Sequence, residues 1–158
     1  VILVKARISL RGNKGSYSST ALVDTGARIT LISSALAERV GVEYTGRVLD
    51  FTSISGHVVK ALEAIVPVLE VEGEVLKYEA VAVAEIPENV KNVLSQSELD
   101  KDIIIGLLTI ERANMIPDTT TGTLKKVEGF MFFTFTHTKA TVTSRTPDSN
   151  ASRYLGGM

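Results

Sequence analysis

The chain has 158 residues, enough for one compact domain with a substantial core and too few for an internally duplicated two-lobed enzyme. Its 17 Lys and Arg balance 18 Asp and Glu, which leaves no electrostatic footprint for nucleic acid or an anionic membrane surface. Cysteine is absent, which excludes disulfides, thiolate catalysis and sulfur-ligated metal, and the two histidines, His57 and His137, stand 80 positions apart without clustered carboxylates. No metal and no other cofactor is therefore expected. The apolar opening Val1-Ile2-Leu3-Val4 is broken by Lys5 and Arg7, so it is too short for a membrane span and lacks the features of a signal peptide. A cytoplasmic protein is the default expectation.

Taken in chain order, residues 1 to 10 alternate in the manner of a strand, and Arg11-Gly12-Asn13-Lys14-Gly15 has the composition of a reversing turn. A second strand runs through Ala21-Leu22-Val23 and ends at Asp24-Thr25-Gly26-Ala27. The apolar, β-branched run Ile29-Thr30-Leu31-Ile32 follows, which places the tripeptide in a tight loop between buried strands. Ser34 is the expected cap of a short helix over 35–40, with Gly41 as its terminator.

Residues 46 to 84 read as strand after strand, with reversals expected at Ser53-Ile54-Ser55-Gly56 and at Glu72-Gly73. Residues 85 to 102, rich in Asn, Ser and charge, read as a surface connection holding one helical turn. Ile103-Ile104-Ile105 reads as a buried strand stopped by Gly106. A second short helix is expected over 107–113, then a hairpin turning at Thr121-Gly122. From Gly129 the composition shifts to clustered Phe and then to Ser, Thr, Asn and Gly. The expectation is a domain over 1–128 and a C-terminal extension over 129–158, one strand followed by a flexible tail.

An Asp-Thr-Gly triplet is weak information alone, yet its apolar flanks put the carboxylate where a buried strand turns sharply, a position that holds a side chain rigidly. Two such carboxylates brought together cannot both ionise. They share one proton, so that one activates water and the other donates to a scissile carbonyl. In that scheme the Thr25 hydroxyl ties two loops together, while Gly26 permits close approach and a strained dihedral and offers its amide to Asp24.

The string Leu22 to Ser33, LVDTGARITLIS, resembles the retropepsin-like aspartic proteases. A second element of that family, apolar-apolar-Gly before a short helix, is matched by Ile104-Ile105-Gly106, the glycine falling 82 residues after Asp24. The resemblance covers about residues 1 to 127. It implies a mostly β, single-lobe, pepsin-like closed barrel with one or two short helices. It also implies an aspartic endopeptidase without cofactor, with Asp24 catalytic and Thr25, Gly26, Ala27, Ile104, Ile105 and Gly106 supporting it. The family's glycine-tipped flap is best matched by residues 51–59, with Ile54, Ser55 and Gly56 at the substrate. Two departures stand out: Arg28 where viral members commonly carry an acidic residue, and Leu108 where a polar residue usually stands two positions after the glycine.

Only one such triplet occurs; Asp118, in Asp118-Thr119-Thr120-Thr121-Gly122, lacks the glycine two positions on. The second carboxylate is therefore expected from a second copy of the chain across a two-fold axis, with an extended polypeptide as substrate. The rival reading is a catalytically silent module of the same fold that dimerises or binds peptides.

Overall fold

A computed structural model describes residues 2–52 and 56–127. The expected flap tip at Ile54 and Ser55, the C-terminal extension over 129–158 and His137 lie outside the described residues. Residues up to Lys126 form one compact unit.

Chain order is β1 (Lys5–Arg11), β2 (Ser16–Val23), β3 (Leu31–Ile32), α1 (Ser34–Val40), β4 (Glu43–Thr52), β5 (Val58–Val71) and β6 (Glu74–Val83), then α2 (Glu88–Gln96), β7 (Ile103–Ile105), α3 (Leu107–Arg112), β8 (Met115–Asp118) and β9 (Thr123–Lys126). The sheet order β1-β2-β7-β3-β6-β5-β4 is closed by a further β1–β5 pairing, so six strands form a barrel and β4 continues from β5 outside the ring. Strands β8 and β9 make a separate hairpin. The fold is mostly β and single-lobed, as the sequence implies.

Period-two alternation fills the barrel. In β1, Ala6, Ile8 and Leu10 point inward while Lys5 and Arg11 stay exposed. Ala21 and Val23 of β2, Ile32 of β3 and Ile103 and Ile105 of β7 join the same core. The reversal at Glu72-Gly73 is present as a tight turn, both residues having positive φ (48° and 85°), and links β5 to β6. The last hairpin turns at Gly122 (φ 71°), in the expected place.

Three local expectations are corrected. Helix α1 is capped by Ser33, whose Oγ accepts from the Leu36 amide at 3.1 Å, so Ser34 is the first helical residue. The run 29–32 pairs only at Leu31 and Ile32, because Ile29 and Thr30 are drawn into the loop that follows Asp24. The connection over 85–102 holds a nine-residue helix, α2, well beyond a single turn. Its apolar Val90 and Leu94 share one face at i, i+4 spacing and find a second small cluster to cover.

Candidate active site

Asp24 sits one residue past the end of β2, and its position is fixed by the barrel. Strands β2 and β7 run parallel with Leu22 opposite Ile104 and Val23 opposite Ile105, and Asp24 N–H continues that ladder by donating to the Ile105 carbonyl at 2.9 Å. On the other side of β2, Val23 N–H donates to the Val4 carbonyl at 2.8 Å. The backbone of Asp24 is thereby held between the N-terminal segment and β7. Its carboxylate is on the exposed side.

The loop then closes on itself. Gly26 N–H donates to Asp24 Oδ1 at 2.9 Å and Ala27 N–H to the Asp24 carbonyl at 3.1 Å, which aims the carboxylate from within its own turn. A Cβ at residue 26 would lie 3.1 Å from Oδ1, so the glycine is suited to the short reach of that bond. The strained dihedral expected there is absent, since Gly26 is not among the residues with positive φ. Close approach, not backbone strain, accounts for the glycine. Thr25 is exposed beside it, and Arg28 is exposed three residues further on.

Ile104, Ile105 and Gly106 lie directly against this loop. Leu107 N–H donates to the Ala27 carbonyl at 2.8 Å and Leu108 N–H to the Arg28 carbonyl at 3.0 Å, so α3 begins as a continuation of the loop's own hydrogen bonding. A Cβ on Gly106 would fall 2.5 Å from the Ile29 carbonyl carbon and 2.8 Å from the Thr30 amide nitrogen. Only glycine lets the chains pass this closely.

Sequence reasoning missed two residues. Thr30 and Thr109 are both buried, with their hydroxyls 2.6 Å apart, and Thr30 Oγ1 also accepts from Gly106 N–H at 3.0 Å. Residue 108, where the family resemblance implies a polar side chain, is a leucine 43% exposed to solvent; the polar tie between α3 and the loop comes from the next residue instead. The available signal was the hydroxyl in each of two apolar runs, because a buried hydroxyl requires a partner.

Asp118, the acid of the Asp118-Thr119 pair, is engaged elsewhere. Lys125 Nζ lies 2.7 Å from Oδ2, and Thr120 N–H donates to Oδ1 at 2.9 Å. The Lys125 ammonium first, then the Thr120 amide and the Thr121 hydroxyl, hold this carboxyl well below the usual carboxylate range. It is a structural element of the β8–β9 hairpin.

At the expected flap, β4 and β5 pair antiparallel up to Thr52 opposite Val58, with Phe51 opposite Val59, and Gly56 has φ 82°. The arms of a hairpin are thus in place; Ile54 and Ser55 lie outside the described residues. Among the described residues no group of three or more His, Asp or Glu side chains could hold a metal ion, and no helix is long and apolar enough to cross a membrane.

Residues 11–112 match the family described as "gag-polyprotein putative aspartyl protease". Among solved structures, the EIAV protease complexed with the inhibitor HBY-793 is similar over 68% of this chain and 85% of its own, at 21% identity and a TM-score of 0.45. No curated protein matches the chain.

Proposed function

This chain belongs to the gag-polyprotein aspartyl protease family, and from that membership we propose that it is an aspartic endopeptidase whose active site forms from two copies of Asp24 in a homodimer. The observation that carries the reading is the seating of Asp24. Its backbone extends the β2–β7 ladder and its carboxylate accepts from Gly26 N–H, so an exposed acid is held in one orientation by a rigid element.

The chemistry follows from two facing carboxylates. One Asp24, ionised, takes a proton from a water molecule as that water attacks the scissile carbonyl. The partner's Asp24, protonated, donates to the carbonyl oxygen, giving a tetrahedral gem-diol without an acyl-enzyme. Collapse transfers a proton to the leaving amine and frees both products. Substrate lies extended across the subunit junction beneath the β4–β5 hairpin. Thr25, Gly26 and Ala27 shape the loop, while Ile104, Ile105 and Gly106 support it from β7.

Two features support assembly. The chain carries one Asp-Thr-Gly, and Asp118 is committed to its hairpin. Exposed apolar side chains also flank the loop: Leu3, next to the Val4 carbonyl that accepts from β2, and Leu108, whose amide donates to Arg28. The test is cleavage of a denatured protein mixture at several pH values by the wild type and by Asp24→Asn. Loss of cleavage in the variant is expected. Equal activity in both would refute the catalytic assignment, and inactivity in both would favour the silent-module reading.

A further inference from the structure

Barrel strands have two faces, and the outer face of the strands that seat Asp24 is not bare. Leu22 of β2 stands opposite Ile104 of β7, which stands opposite Leu31 of β3, so the three form one cross-strand row. Their sequence neighbours Ala21, Val23, Ile32, Ile103 and Ile105 fill the barrel, which puts the row on the outer side. Leu94 and Leu99, with Val90, cover it, leaving Ile104 only 9% exposed.

This covered row adjoins the candidate site by the sheet's own geometry. Two residues along β2 from Leu22 is Asp24, and two residues along β7 from Ile104 is Gly106. The carboxylate therefore stands one pleat repeat, about 7 Å, from the aliphatic row and on the same face. A substrate side chain beside the scissile bond that projects along β2 away from the carboxylate meets Leu22 and Ile104, and then the leucines of the α2 segment.

The cover is fixed in place. Leu99 N–H donates to the Leu94 carbonyl at 2.8 Å and Glu98 N–H to the Ser95 carbonyl at 3.1 Å, with Glu98 at φ 58°; these bonds form a Schellman closure that folds Leu99 back onto Leu94. Asp100 N–H then donates to the Thr20 carbonyl of β2 at 2.9 Å, anchoring the return of the chain to the barrel. The two leucines lie 2% and 6% exposed, so the space they occupy is closed to a bulky guest.

We propose that Leu94 and Leu99 are specificity-determining residues: by filling the outer face beside the Asp24 row they confine cleavage to peptide bonds flanked by small side chains, of the size of alanine to valine. The inference rests on the endopeptidase reading above.

The experiment pairs two otherwise identical peptides, one with Ala and one with Phe beside the scissile bond, and measures kcat/KM for wild type, Leu94→Ala and the milder Leu94→Val, with Asp24→Asn as blank. Wild type should favour the Ala peptide by about 10- to 100-fold, and opening the row should reduce that ratio by about tenfold or more, mainly through faster cleavage of the Phe peptide. A merely structural role would lower both peptides together. The inference is overturned if wild type cleaves both equally, or if a folded Leu94 variant keeps the wild-type ratio. If wild type cleaves neither peptide nor a denatured protein mixture above the blank, the endopeptidase reading falls first and this one with it.

Discussion

Thr30 and Thr109 stand 79 positions apart in sequence and place their hydroxyls 2.6 Å from each other in the interior, where they join the loop after Asp24 to the helix after Gly106. Thr30 also receives the Gly106 amide, so one side-chain oxygen connects the end of the Asp24 loop to the residue that follows β7 and to α3 at the base of the candidate site. Such a buried polar contact is costly to leave half made, because the remaining hydroxyl keeps only the Gly106 amide and loses its hydroxyl partner where water does not replace it.

Replacing Thr109 with Val should therefore leave the Thr30 hydroxyl with the Gly106 amide alone and lower stability by about 1–3 kcal/mol. Thr109→Ser, which keeps the hydroxyl, should recover most of that loss. Urea unfolding of the three proteins reads the difference. Equal midpoints and slopes for Val and wild type would show that the pair contributes nothing.

Gly106→Ala meets backbone rather than a yielding side chain, with the Ile29 carbonyl oxygen 2.6 Å from the added Cβ. The loop or α3 must shift, and a loss of about 1–3 kcal/mol is expected. Thermal unfolding checks it. A variant as stable as wild type would contradict the close passage of the two chains.

Glu98 holds a left-handed conformation at the end of α2 where glycine is the usual residue. Glu98→Gly should relieve this and stabilise the protein by up to about 1 kcal/mol, the relief being partly offset by the freer unfolded chain. A lower unfolding midpoint would mean that the Glu98 side chain contributes more than its backbone costs.

Acid should loosen the β8–β9 hairpin. The Asp118 carboxyl is depressed in the folded state, so its contribution is present above the ordinary value of 3.8 and is lost as pH falls from there toward the folded value. The difference in thermal midpoint between pH 7 and pH 3 should thus be smaller for Asp118→Asn than for wild type. An unchanged difference would remove Asp118 as a source of acid sensitivity.

A proton shared between two Asp24 side chains calls for activity at acidic pH, with loss on either side as the pair gains or sheds a proton. Initial rates across the pH range measure this. Activity rising steadily to about pH 9 would be incompatible with a shared proton.

Much of this fold was legible because strands declare themselves by alternation. Ala6, Ile8 and Leu10 face inward and their neighbours outward, and Ile103 to Ile105 read correctly as a buried strand. The Asp24 loop was legible as a turn between apolar runs for the same reason. Helix α2 was not, because Asn89, Asn92, Ser95 and Ser97 resemble a loop and the stop signal, Glu98 at φ 58°, is no glycine. The Val90 and Leu94 spacing was there, but it gains meaning only from the Leu22–Ile104–Leu31 row it covers, which is a property of strand register. The Thr30–Thr109 contact was hidden likewise, since no local pattern links two threonines across the barrel. Ser33 and Ser34 differ as caps only in which hydroxyl reaches the Leu36 amide.

The central claim, one site made from two Asp24 residues, is tested most directly by mixing subunits. Wild type and Asp24→Asn chains are unfolded together in equal amounts and refolded, and activity is compared with the same total of wild type. If both carboxylates are required, only dimers of two wild-type chains cleave, and about a quarter of the activity should remain. Retention of about half, in proportion to the wild-type chains present, would mean that each chain cleaves by itself and would contradict the shared site.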